Sequence, residues 1–124
     1  MFTNTASIQS KTAFFVQEYT HRVLTKMKET SNVTYYTLLD CQQIMCRTMN
    51  TYHELTSLED QIKAYDTYTF ALARSTAITQ QVSEKLDLYP SIEEYNKTTE
   101  RYYLRLVAES ARKKVHLHNI QKLN

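Results

Sequence analysis

Glu18 and His21 stand three residues apart in the stretch Glu-Tyr-Thr-His, which would set both on one face of a helix. Carboxylate-bridged di-iron sites use that spacing. They need it twice, together with a carboxylate from each of two further helices. No second Glu-x-x-His occurs in the chain, so no metal is expected there. His116 and His118 are two apart. On a helix that separates them by about 200°, too far round to share one ion.

Other reactive types are equally thinly supported. A surface histidine on a helical bundle resembles the acceptor of phosphotransfer domains. Neither His21 nor His53 has the basic and small neighbours such an acceptor would want. Cys41 and Cys46 lie five apart, on different faces of one predicted helix, and form no Cys-x-x-Cys pair. They are read as reduced thiols with no disulfide between them. Glu59-Asp60 and Glu93-Glu94 fall where helices begin, so helix-end electrostatics accounts for both pairs. The chain contains no glycine at all. That excludes the loops that cradle phosphate with close-approaching backbone. No catalytic residue, cofactor or metal is expected, and the protein is read as a non-enzyme.

The missing glycine also bears on the fold. Average usage predicts about 7%, because tight turns, bulges and hairpins call for positive φ. The one proline, Pro90, leaves almost the whole chain free to be helical. Charge is balanced, with 15 basic and 13 acidic residues, and 42% of the chain is hydrophobic, which argues against disorder. The 124 residues fit one domain.

Apolar spacing divides the chain into four helices, at about 7–30, 33–55, 58–88 and 92–122. In the first, Ile8, Phe15, Tyr19, Val23 and Met27 form a stripe that Phe14, Val16 and Leu24 widen. Leu38, Cys41, Met45, Thr48, Tyr52 and Leu55 line the second, and Leu58, Ile62, Tyr65, Leu72, Ile78, Val82 and Leu86 the third. The joints use devices other than glycine. Asn32 can cap the first helix or open the second. Ser57 with Glu59 and Asp60 opens the third. Tyr89-Pro90 stops it, and Ser91 with Glu94 forms a capping box for the fourth. The expectation is an all-α antiparallel four-helix bundle, or two long helical hairpins. Seventeen threonines and ten tyrosines are poor helix formers. Packing between helices must therefore hold the structure.

The fourth helix is the most informative. Ile92, Tyr95, Thr99, Tyr103, Leu106 and Leu117 share one side. Leu104, Ala108, Ala111 and Val115 make a second stripe, about 150° round. Either the helix is central and touches two neighbours, or the second stripe docks a partner. Between the stripes runs a ridge of Arg101, Arg105 and Arg112, with Lys113 and Lys114 close by. Residues 101–124 hold six lysines and arginines and one acid, Glu109, whereas residues 51–100 hold nine acids and four bases. Tyr102 and Tyr103 would suit an interface.

The leading expectation is a helical interaction or adaptor module, a subunit of a larger complex with protein partners as hetero- or homo-oligomer. Leu104, Ala108, Ala111 and Val115 are its candidate partner-binding residues. The alternative is a binder of nucleic acid or an anionic surface through Arg101, Arg105, Arg112, Lys113 and Lys114. With no signal-like segment and no transmembrane stretch, cytoplasm or nucleus is the expected compartment.

Overall fold

The computed structural model describes residues 7–27, 33–83, 85, 86, 88 and 90–123. Among them run four α-helices: α1 (Lys11–Met27), α2 (Val33–Thr51), α3 (Leu58–Ser83) and α4 (Ile92–Lys122). A 3₁₀ turn, Tyr52–Glu54, follows α2. No strand occurs among the described residues. Side-chain bonds fix the directions. Gln9 donates to the Met49 carbonyl and Gln42 to the Gln17 carbonyl, so α1 and α2 are antiparallel. Lys113 reaches Gln61 and Gln80 reaches Asn96, so α3 and α4 are antiparallel too. Neighbours in sequence are neighbours in space, and α1 closes the ring against α4. This is an up-down four-helix bundle with short connections.

The helix starts are held by serines. Ser10 Oγ accepts from the Ala13 amide at 3.1 Å, so α1 begins at Lys11, four residues later than the apolar stripe implied. Ser57 Oγ takes the Asp60 amide at 3.0 Å, and Ser91 Oγ the Glu94 amide at 3.4 Å. Each satisfies one of the donors a helix leaves open at its N-terminus. The stops are less regular. α2 tightens into its 3₁₀ turn at Tyr52 and then extends at Leu55. α3 ends at Ser83 rather than near Leu88, because the Lys85 and Leu86 amides turn back to the carbonyls of Val82 and Ser83. Asn32 and Tyr89, named above for the joints, lie outside the described residues.

Several threonines are accommodated by bonding backwards, although the buried hydroxyls of Thr79 and Thr99 find no partner among the described residues. Thr20, Thr25, Thr37, Thr51 and Thr76 each donate to the carbonyl four residues earlier, at 2.8–2.9 Å. A hydroxyl satisfied in this way does not compete for the backbone elsewhere. Tyr19, Tyr65, Tyr68, Tyr95 and Tyr102 are buried in the core. Tyr19 of α1 stacks on Tyr95 of α4 with ring centroids 4.2 Å apart. Tyr68 meets Tyr102 edge to face at 6.2 Å, and Tyr52 meets Tyr65 at 5.4 Å. Around them pack Ile8, Val16, Val23, Leu38, Met45, Leu72 and Leu106, all fully buried. Most of the expected stripes are inside. Phe14 is the exception on α1: it is 60% exposed and does not widen the core.

α4 outlasts its support. At about 1.5 Å per residue its 31 residues span roughly 46 Å. Its last buried side chain is Ser110. Beyond it only Lys113 and Leu117 are even half-buried. No helix among the described residues is long and apolar enough to cross a membrane.

Candidate functional site

The rotation of α4 about its axis decides what the protein offers its surroundings, and several contacts fix it. Tyr95, Thr99, Tyr102, Leu106 and Ser110 form its buried face. The Tyr102 hydroxyl donates to the Ser7 carbonyl at 3.0 Å, tying α4 to the start of the bundle. Burial pushes the Tyr102 phenol well above its ordinary pKa, which keeps it a neutral donor. The Ser110 hydroxyl donates to Asp66 Oδ1 at 2.7 Å. Lys114 bridges the same carboxylate, 3.2 Å from Oδ2. Lys113 donates to Gln61 and lies over the Tyr65 ring, 5.7 Å from its centroid.

With α4 held in that orientation, Leu104, Ala108, Ala111 and Val115 face outward. Leu104 lies about 160° round the helix from both Tyr102 and Leu106. Leu104 and Val115 are each 60% exposed, and Ala108 and Ala111 are exposed between them. α4 has a single core face, and the second stripe lies outside it and is exposed among the described residues. Tyr103, expected on the core stripe, is at its exposed edge, while its neighbour Tyr102 is buried.

The basic residues divide into two groups. Lys113 and Lys114 are turned toward α3 and hold the α3–α4 seam. Arg101, Arg105 and Arg112 stand exposed along one edge of the outward stripe. Arg112 is paired with Glu109 at 2.6 Å yet remains 60% exposed. No ion pair engages Arg101 or Arg105 among the described residues.

The other edge is mixed, apolar at Val107, Ala73 and Ala77 and polar at Gln80, Asn96 and Glu100, and the sequence did not suggest it. Val107 is half-exposed there. Ala73 and Ala77 of α3 share with Thr99 and Tyr103 an open groove of about 310 Å³. One turn from Ala73 toward Asp66 stands Phe70, 68% exposed. Because Asp66 is bonded to Ser110, and Ala73 shares the groove with Tyr103, Phe70 lies beside the α4 stretch that carries Val107. A phenylalanine off the apolar stripe of α3 was the only signal available for this.

The groups that suggested chemistry are dispersed. Glu18 accepts from Arg22 at 2.6 Å, and His21 is exposed beside it. Among the described residues no three of His, Cys, Asp and Glu come together as metal ligands would. Cys41 is buried, and Cys46 is half-buried with its thiol donating to Gln17. Burial pushes both thiols above their ordinary pKa, away from the thiolate a nucleophile needs. His53, His116 and His118 are exposed. No family model, curated protein or solved structure matches the chain.

Proposed function

We propose that this protein is a non-enzymatic interaction module that joins a larger assembly through the outer face of α4. One observation carries the reading: a pinned helix presents Leu104, Ala108, Ala111 and Val115 to solvent on the side opposite its core. Apolar residues scattered singly over a surface need no explanation, but a continuous row bordered by polar residues marks an interaction site. The two free cysteines, Cys41 and Cys46, accord with a reducing compartment, cytoplasm or nucleus.

The test compares wild type with Leu104→Glu in light scattering and in affinity capture from the native source. Loss of one stoichiometric partner, with the fold intact by circular dichroism, is the expected result. A monomer that captures nothing, and that Leu104→Glu leaves unaltered, sinks the proposal.

A second reading, binding to nucleic acid or an anionic surface, draws support from Arg101 and Arg105. It requires affinity that falls steeply with salt. Absence of binding to DNA, RNA and acidic vesicles at low ionic strength would remove it.

A further inference from the structure

We infer that the partner of α4 is an acidic amphipathic helix, packed in coiled-coil fashion along Leu104, Ala108, Ala111 and Val115. This deepens the proposed function and rests on it. The four residues follow one another at steps of four, three and four. That is an a/d alternation over about two heptads, with Leu104 and Ala111 at d and Ala108 and Val115 at a, bounded by Lys97, Arg101, His118 and Lys122 at the adjoining a and d positions. The remaining positions agree. Tyr95 and Tyr102 fall at b, Thr99 and Leu106 at f, and Ser110 at c, and all five are buried in this bundle. The seam therefore points away from the chain's own core.

The residues bordering the seam state what the second helix must carry. Position e holds Arg105 and Arg112, and Arg101 stands at the preceding a. These are cations on one edge, and in coiled coils such edge charges choose the partner and its orientation. On the opposite edge, position g holds Glu100, Val107 and Lys114. A complementary helix has small or branched apolar residues on its seam and acids on the edge that meets Arg105 and Arg112. Ala108 and Ala111 at the centre permit close approach, which suits a second helix better than a bilayer.

A second copy of this chain fits poorly. In an antiparallel pair, e faces e, so Arg105 would meet Arg112 of the other copy, twice over. In a parallel pair, Arg101 would face its own counterpart once across the seam, Glu100 would match Arg105 twice by symmetry, and Arg112 would face only Val107. An acidic edge can meet both Arg105 and Arg112, which neither self-pairing does, and on that ground charge complementarity selects an acidic chain.

The experiment titrates the full chain with synthetic helices about four heptads long. All share a Leu/Ala seam and carry Glu, Gln or Lys on one edge. Binding is read by anisotropy at physiological salt. The Glu-edged probe should bind about tenfold more tightly than the Gln-edged one, from three arginine contacts of a few tenths of a kcal/mol each. The triple change R101E/R105E/R112E should shift the preference to the Lys-edged probe. L104E should abolish binding of all three while circular dichroism stays unchanged.

Equal binding of the three probes, lost in L104E, overturns the acidic partner but leaves the α4 face as an interaction site. Probe binding that L104E does not alter overturns both. Binding to phosphatidylserine–phosphatidylcholine vesicles with none to any probe overturns the helix partner in favour of a membrane. A concentration-dependent dimer abolished by L104E overturns it in favour of a second copy.

Discussion

Leu104 and Leu106 are two residues apart on one helix, and the structure gives them opposite fates. Leu106 is 0% exposed, while Leu104 is 60% exposed. Truncating a fully buried leucine to alanine costs about 2–5 kcal/mol, through lost transfer energy and the cavity left behind. Leu106 belongs to the buried core cluster, so a cost of about 3 kcal/mol is expected for Leu106→Ala. Leu104 hides less than half of its surface. Since full burial of a leucine contributes about 1.5–3 kcal/mol, Leu104→Ala should cost less than about 1 kcal/mol. For 124 residues the unfolding entropy is about 0.26 kcal/mol/K, so each kcal/mol moves the melting temperature by about 4 °C. Leu106→Ala should thus melt about 12 °C lower and Leu104→Ala within about 4 °C of wild type. Urea denaturation at several protein concentrations, followed by circular dichroism, measures both. Equal losses at the two positions would refute the assigned rotation of α4, and with it the exposed seam.

Three further outcomes follow from the same contacts. Tyr102→Phe removes the hydroxyl bonded to the Ser7 carbonyl and should cost about 1 kcal/mol in chemical denaturation. An unaltered midpoint would mean that this bond does not hold the N-terminal segment. Ser91→Ala removes the cap on α4 and should cost about 0.5–2 kcal/mol, with Ser91→Asp restoring most of it. Burial raises the folded-state pKa of Tyr65, Tyr68 and Tyr102 above the value of about 10 they have when unfolded. Their stabilisation is complete below pH about 10 and is lost as pH rises toward the folded values, by about 1.4 kcal/mol per pH unit for each tyrosine. Ultraviolet titration of the phenols should therefore coincide with loss of helix. Free ionisation of all ten tyrosines near pH 10 in a folded chain would contradict the burial.

How much of this was legible in the sequence depended on the range of each signal. Ser57 and Ser91 were readable because a cap and its amide lie three residues apart. The seam of Leu104, Ala108, Ala111 and Val115 was readable because its period is local to one helix. What the seam faced was not, since that depends on the rotation of α4. Periodicity placed Tyr103 inward and offered Tyr102 to an interface, yet Tyr102 is the one that reaches Ser7, 95 positions away. Lys113 and Lys114 looked like part of one basic surface with Arg112 until Gln61, Tyr65 and Asp66 of α3 came within reach. The end of α3 escaped for a different reason: its last turn is set by i to i+3 bonds that leave no apolar period to follow. Phe70 belonged to no stripe, and only the packing of α3 on α4 shows it beside Val107.

The reach of α4 beyond Ser110 has a consequence for local stability. Amides from Tyr95 to Ser110 are protected by the core and should exchange their hydrogens only when the whole bundle opens. Those past Lys114 lose protection by simple fraying, at an opening free energy near zero. The two ends of one helix thus belong to different cooperative units, joined at Asp66 and its two contacts. A chain that binds over Val115 must order the outer turns as it docks, and part of the contact energy goes to that ordering. Association there is tuned toward reversibility, and its footprint would appear as slowed exchange in the last three turns while the bundle itself stays unchanged.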